Sequence, residues 1–79
     1  MSKEELYKGH NDLLAYLKTK FNTEWICIGL GNEKLFVILQ NSYMNKWEVK
    51  SIEEAVAEWS KLNAQYEVVI RKIGKITLA

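Results

Sequence analysis

Two short apolar runs separated by a turn constrain the fold of this chain more than any other feature of its sequence. Residues 25–30 read WICIGL and residues 35–39 read LFVIL, with GNEK between them. β-Branched and aromatic residues dominate both runs, both have the length of a strand, and Gly and Asn mark the break. The sequence therefore predicts a central β-hairpin over residues 24–40.

Both faces of this hairpin are apolar. Because side chains alternate along a strand, each run divides between two faces. One face would carry Ile26, Ile28, Leu30, Leu35, Val37 and Leu39, and the opposite face would carry Trp25, Cys27, Phe36 and Ile38. A sheet with one solvated side needs only one apolar face. Either a helix crosses to the second face, or a second copy of the chain or a partner covers it.

An amphipathic helix is predicted before the hairpin. Ser2 and Glu5 have the spacing of a capping box. An apolar stripe follows at helical spacing: Leu6, His10, Leu13, Leu14, Leu17 and Phe21. Gly9 weakens the helix locally. The sequence leaves open a kink at that point, or a helix that begins only near Asp12.

A second helix and a third strand are predicted after the hairpin. Residues 41–50 read as the only long irregular stretch, and Ser51 with Glu54 would cap the second helix. Its apolar stripe would be Ile52, Ala55, Val56, Trp59, Leu62 and Tyr66. Residues 66–73 read as a strand at a sheet edge protected by charge. Beyond it, the sequence allows either a turn at Gly74 and a short strand over residues 76–78, or a simple bulge.

The elements together predict one α+β domain spanning residues 1–79. Its order would be α-β-β-α-β, with or without a last β, as a two-layer sandwich with both helices packed on the sheet. The chain has 79 residues, so its single core can supply only modest stability. Its second apolar face is expected to lie at least partly in an interface.

Composition narrows the class of protein. The net charge of +1 favours neither nucleic acid nor acidic substrates through bulk electrostatics. No apolar run approaches the roughly 18 residues of a membrane span, and no secretory signal is recognised. The single cysteine, Cys27, excludes an intramolecular disulfide, and its apolar strand predicts a buried thiol. A cytoplasmic protein without membrane contact is therefore expected.

The residues that could support catalysis or metal binding are few. One histidine and one cysteine cannot form a structural zinc site, so we expect neither a metal nor a cofactor. Catalysis by Cys27 with His10 is conceivable, but a core thiol and a hydrogen-bonded histidine at the core margin are favoured. Hairpin geometry accounts for Gly29 and Gly31, which otherwise resemble the start of a dinucleotide-binding loop. We expect a protein that is not an enzyme.

The favoured hypothesis is a small non-catalytic protein-interaction module that binds a protein partner or a second copy of itself. It would act as a regulator, inhibitor or assembly factor, of the kind that phages and mobile elements encode. The predicted partner-binding residues are Trp25, Phe36 and Ile38 on the second sheet face, with Tyr43, Met44 and Trp47 in the loop. The alternative for Trp47 is a lid folded over the core.

The second hypothesis is a small RNA- or single-strand-binding domain. Basic residues beside Trp47 and near the C-terminus could track phosphates while aromatic rings stack on bases. The residues are Lys46, Lys50, Arg71, Lys72 and Lys75. Solvated lysines at an edge strand explain the same pattern more simply.

Overall fold

The computed structural model describes residues 1–74. The elements are α1 (Lys3–Lys18), β1 (Ile26–Gly31), β2 (Lys34–Leu39), a 3₁₀ turn (Asn41–Tyr43), α2 (Lys46–Leu62) and β3 (Glu67–Lys72). Strand β2 lies at the centre of the sheet, antiparallel to β1 and parallel to β3. The predicted α+β sandwich with a central hairpin is confirmed. The turn predicted at Gly74 and Lys75 extends beyond the described residues, and the strand predicted over residues 76–78 lies outside them.

The core lies between the two helices and one face of the sheet. Its buried members are Leu6, Leu13 and Leu17 of α1, Ile26, Ile28, Leu35, Val37 and Leu39 of the hairpin, Val49, Ile52, Ala55, Val56 and Trp59 of α2, and Tyr66. The predicted core face of the hairpin is thus confirmed, with Leu30 only partly buried. Leu62, predicted on the buried stripe, is instead 83% exposed. Helix α2 ends at this residue, where the chain turns back toward β3.

The parallel pairing of β2 with β3 follows from their connection. Helix α2 carries the chain back along the sheet, so β3 runs in the same direction as β2. The register places Val68 beside Leu35 and Ile70 beside Val37 on the core face. Strand β3 lies at the edge of the sheet described here, as its charged residues predict.

Helix α1 is unbroken despite Gly9. It runs from Lys3 to Lys18, and the hydroxyl of Ser2 accepts a hydrogen bond from the Glu5 amide. Neither the kink nor the later start at Asp12 is observed. A β-carbon at Gly9 would lie 2.5 Å from the ring of Tyr66, whose hydroxyl donates to the Glu5 carbonyl at 2.8 Å. Glycine therefore lets an aromatic ring pack directly against the helix backbone.

Helix α2 begins well before the predicted position. Asn45 is its N-cap, and Asn45 and Glu48 form a complete capping box, with the Glu48 amide donating to Asn45 Oδ1 at 2.7 Å. The predicted start at Ser51 is therefore wrong, and the stretch between β2 and α2 ends at Asn45 instead of continuing to Lys50. Two capping-box patterns follow one another in this part of the chain, and the helix starts at the first, which also buries Val49 as an additional turn of the apolar stripe.

The hairpin turn places two residues other than glycine in the left-handed region. Asn32 has φ 49° and Glu33 has φ 60°, between the paired residues Gly31 and Lys34. A two-residue turn of this kind matches the twist of the strands and has the character of type I′. Asparagine tolerates the left-handed conformation, whereas glutamate gains nothing from it.

Replacing Glu33 with glycine should therefore stabilise the protein by about 0.5–1 kcal/mol, because glycine adopts a positive φ without steric cost. The substitution also removes an exposed ion pair between the Glu33 carboxylate and the Met1 amino group, so Glu33→Ala serves as the matched control. Urea denaturation should give a higher midpoint for glycine than for alanine. Equal midpoints would contradict the assignment of strain to this position.

Candidate interaction surface

The sheet has an outer face that points away from both helices. Its residues are Cys27 and Gly29 on β1, Phe36 and Ile38 on β2, and Val69 and Arg71 on β3. The register pairs Cys27 with Ile38 and Gly29 with Phe36, while Val69 adjoins Phe36 and Arg71 adjoins Ile38. Both helices pack on the opposite face. Within residues 1–74, therefore, no helix crosses over to cover the outer face.

The outer face is partly shielded by its own side chains. Tyr43 stacks on Trp25 at one end, with ring centroids 4.3 Å apart and an interplanar angle of 16°. The guanidinium of Arg71 lies over the ring of Phe36, 5.8 Å from its centroid. Trp25, Phe36 and Ile38 are consequently half-buried rather than bare. The structure brings four of the predicted partner-binding residues together on this face or at its rim.

The other two predicted partner-binding residues lie elsewhere. Met44 is partly buried and packs against the core. Trp47 stands on the first turn of α2, in the helical layer, and is 75% exposed. Trp47 is therefore not a lid over the core, and the predicted continuous surface from the sheet to residues 43–47 is divided between two layers.

Cys27 is exposed, contrary to the prediction of a buried thiol. Alternation places its side chain on the outer face, which the helices leave open. His10 lies at the margin of the helical layer, where its Nε2 atom is 3.0 Å from the carbonyl oxygen of Ile28 and donates to it. The half-buried, hydrogen-bonded histidine is as predicted. The thiol and the imidazole point to different sides of the sheet, so they do not form a catalytic pair.

The predicted basic residues do not form one patch. Arg71 and Lys72 alternate between the two faces of β3. Lys72 forms an ion pair with Glu53 of α2 at 2.9 Å, and Lys46 and Lys50 stand on the exposed side of α2. Lys75 lies beyond the residues that the structure describes. Lys46 and Lys72 line one hollow, but Glu53 lines it too and pairs with Lys72. The local positive charge that the nucleic-acid hypothesis requires is therefore partly neutralised.

A shallow hollow of about 260 Å³ opens in the outer face. It is lined by Gly29, Leu30, Phe36, Ile38 and Arg71. Apart from Gly29 and its two chain neighbours, no residue has an atom within 4 Å of the position that a β-carbon at Gly29 would occupy, so a side chain there would project into the hollow. Sequence reasoning assigned Gly29 to the hairpin and missed it as part of a site. The available signal was a glycine inside a strand rather than in its turn.

Two further structural observations concern metal ligands and membrane spans. Among residues 1–74, no group of three or more His, Cys, Asp or Glu side chains is arranged to hold a metal ion. Neither of the two helices described is long and apolar enough to cross a membrane.

No protein-family model matches the sequence, and neither a curated protein nor a solved structure is significantly similar to the chain.

Proposed function

We propose that the protein is a small non-catalytic interaction module that binds another protein through the outer face of its sheet. The observation that carries this proposal is the outer face itself. Cys27, Phe36, Ile38 and Val69 form a contiguous apolar strip across three strands, and no helix within residues 1–74 lies over it. Contiguous apolar surface on a small domain is typical of an interaction site.

The rim of the outer face supports the proposal. The stacked rings of Trp25 and Tyr43 stand beside the apolar strip, and Tyr43 is 61% exposed. Aromatic side chains bury a large area while losing few rotamers, so they are favoured as anchors at interfaces. The stack holds Trp25 in one orientation before binding, which lowers the entropic cost of association. Regulators, inhibitors and assembly factors all work through such contacts, and we propose a role of this kind in the cytoplasm.

The exposed thiol of Cys27 provides a direct test. Its side chain lies on the proposed binding surface next to Ile38, so any partner seated there should slow alkylation. The rate of reaction with N-ethylmaleimide would be measured over a range of protein concentrations, together with sedimentation equilibrium. A dimer that protects Cys27 identifies a second copy as the partner. A freely reactive monomer requires a different protein, which would be sought by capture on wild-type chain and on chain already alkylated at Cys27.

Ile38→Lys is the variant that should abolish binding, because it places a charge at the centre of the apolar strip. Leu62→Lys is the matched control, since it makes the same change at an apolar residue exposed on α2. We expect Ile38→Lys to lose at least about tenfold in affinity, as for an interface hot spot, while Leu62→Lys binds as wild type. Both variants must show wild-type circular dichroism. Equal binding by all three proteins, or a steep salt dependence typical of phosphate contacts, would contradict the proposal.

A further inference from the structure

We infer that the hollow at Gly29 is a subsite for an apolar side chain with a carboxylate beside it, presented by a segment of a different protein. This inference rests on the proposed function and adds the chemistry of the partner. At one place on the outer face, an unfilled strand position and an apolar lining meet a guanidinium that has no carboxylate partner among residues 1–74.

Within residues 1–74, neither the backbone conformation nor a close contact requires a glycine at position 29. Its backbone is not in the left-handed region, and a β-carbon there would meet nothing within 4 Å. Gly9, by contrast, makes room for the ring of Tyr66, and Gly31 lies against the ring of Phe36. A glycine inside a strand weakens it, because the flexible backbone loses more entropy and no side chain packs in return. Glycine at such a position often marks the close approach of a ligand or of another backbone.

Arg71 supplies a positive charge, so the partner should present a negative charge beside it. Lys72, its neighbour along β3, lies on the opposite face and pairs with Glu53 at 2.9 Å, while Lys34 lies at the turn end of β2 and pairs with Glu67 at 3.4 Å. Arg71 forms no ion pair with a carboxylate within the described part of the chain. Its guanidinium is held over the Phe36 ring at the wall of the hollow. This planar group favours bidentate contact with a carboxylate.

The lining of the hollow sets the rest of the partner's chemistry. Leu30, Phe36 and Ile38 contribute apolar atoms, and the volume of about 260 Å³ suits one aromatic or large aliphatic side chain. Such a side chain would sit over Gly29, where no β-carbon obstructs it, and its neighbouring carboxylate would reach Arg71. An acidic residue next to the apolar one, or the carboxylate at the end of a chain, has the required chemistry.

A second copy of this chain fits the hollow poorly. In a symmetric dimer whose axis passes through the hollow, Gly29 would face Gly29 and Arg71 would face Arg71. Neither hollow would be filled, and two positive charges would lie close together. Glu67, the carboxylate on this face, is already paired with Lys34. Charge complementarity therefore favours a different protein, and a dimer that protects Cys27 would overturn this assignment.

The test uses two small probes of the same shape, 3-phenylpropionate and 3-phenylpropan-1-ol, titrated into the ¹⁵N-labelled protein. Amide shifts should move at Gly29, Ile38 and Arg71, with a dissociation constant on the order of millimolar for so few atoms. The carboxylate should bind about threefold more tightly than the alcohol, a modest preference because Arg71 is exposed. Equal binding of the two probes, or shifts centred elsewhere, would overturn the inference.

Two variants separate a binding role from a structural one. Gly29→Val should raise the thermal midpoint by about 3 °C, because a β-branched residue suits a strand, yet it should abolish probe binding by filling the hollow. Arg71→Gln should leave the thermal midpoint unchanged and reduce the carboxylate to the affinity of the alcohol. Unaltered binding by Gly29→Val would overturn the inference. The Cys27 alkylation experiment tests the interface independently, so a negative probe result would leave that proposal standing.

Discussion

Replacing Trp59 with alanine should lower the free energy of unfolding by about 3–5 kcal/mol. The indole is 5% exposed on the inner side of α2 and stacks on Tyr66, with ring centroids 5.6 Å apart. Its removal would leave a cavity between α2 and the chain leading into β3. Since a small domain has a total stability of only about 5 kcal/mol, the variant should retain at most about 2 kcal/mol and should unfold at a much lower urea concentration. Far-ultraviolet circular dichroism and urea denaturation measure this directly.

The matched control is the same substitution at Trp47. This side chain is 75% exposed on the first turn of α2, so Trp47→Ala should change stability by less than about 0.5 kcal/mol. The two variants remove identical atoms from the same helix. Similar losses at the two positions would contradict the placement of one indole in the core and the other in solvent.

Replacing Gly9 with alanine should destabilise the protein by about 2 kcal/mol, even though alanine is the better helix former by about 1 kcal/mol. The added methyl group would lie 2.5 Å from the Tyr66 ring, which is itself buried and tethered by its hydrogen bond to the Glu5 carbonyl. The ring cannot move away without losing that bond and its packing on Trp59. Thermal and urea denaturation of the purified variant measure the loss.

A double mutant identifies the cause. In a Tyr66→Leu background the ring is absent, so Gly9→Ala should no longer lower the stability of the protein. It should instead raise the stability, because alanine has the higher helix propensity. Gly29→Ala gives a second comparison, because the same methyl group there meets open space. A loss of stability at Gly9 that persists without the ring would show that the backbone, rather than Tyr66, requires glycine.

The sequence predicts the hairpin and its core face because alternation is a strictly local signal. Ile26 and Ile28 on β1, with Leu35, Val37 and Leu39 on β2, are buried as their spacing requires. The same alternation predicts the second apolar face. It does not predict that Tyr43 and Arg71 partly cover that face. Those contacts join residues from four separate segments of the chain, and no pattern along the chain encodes them.

The remaining differences have equally specific causes. The start of α2 was misplaced because Asn45 and Ser51 each begin a valid capping pattern, and only burial of Val49 decides between them. The apolar neighbours of Cys27 predict a buried thiol. Its exposure depends on which face of the sheet the helices cover, and they cover the opposite one. Gly29 was assigned to hairpin geometry, whereas the turn itself uses Asn32 and Glu33.

The central position of β2 has a consequence for the order in which the sheet assembles. Its contacts with β1 close across a two-residue turn, while its contacts with β3 close across the long connection that contains α2. Short loops close at lower entropic cost than long ones, so the hairpin can form early and β3 must dock late. The hollow spans both junctions, with Gly29 on the early pair and Arg71 on the late strand. A partner bound in the hollow would therefore contact β3 as well as β1. Its binding would stabilise the docked position of β3 and so couple partner binding to the last step of folding.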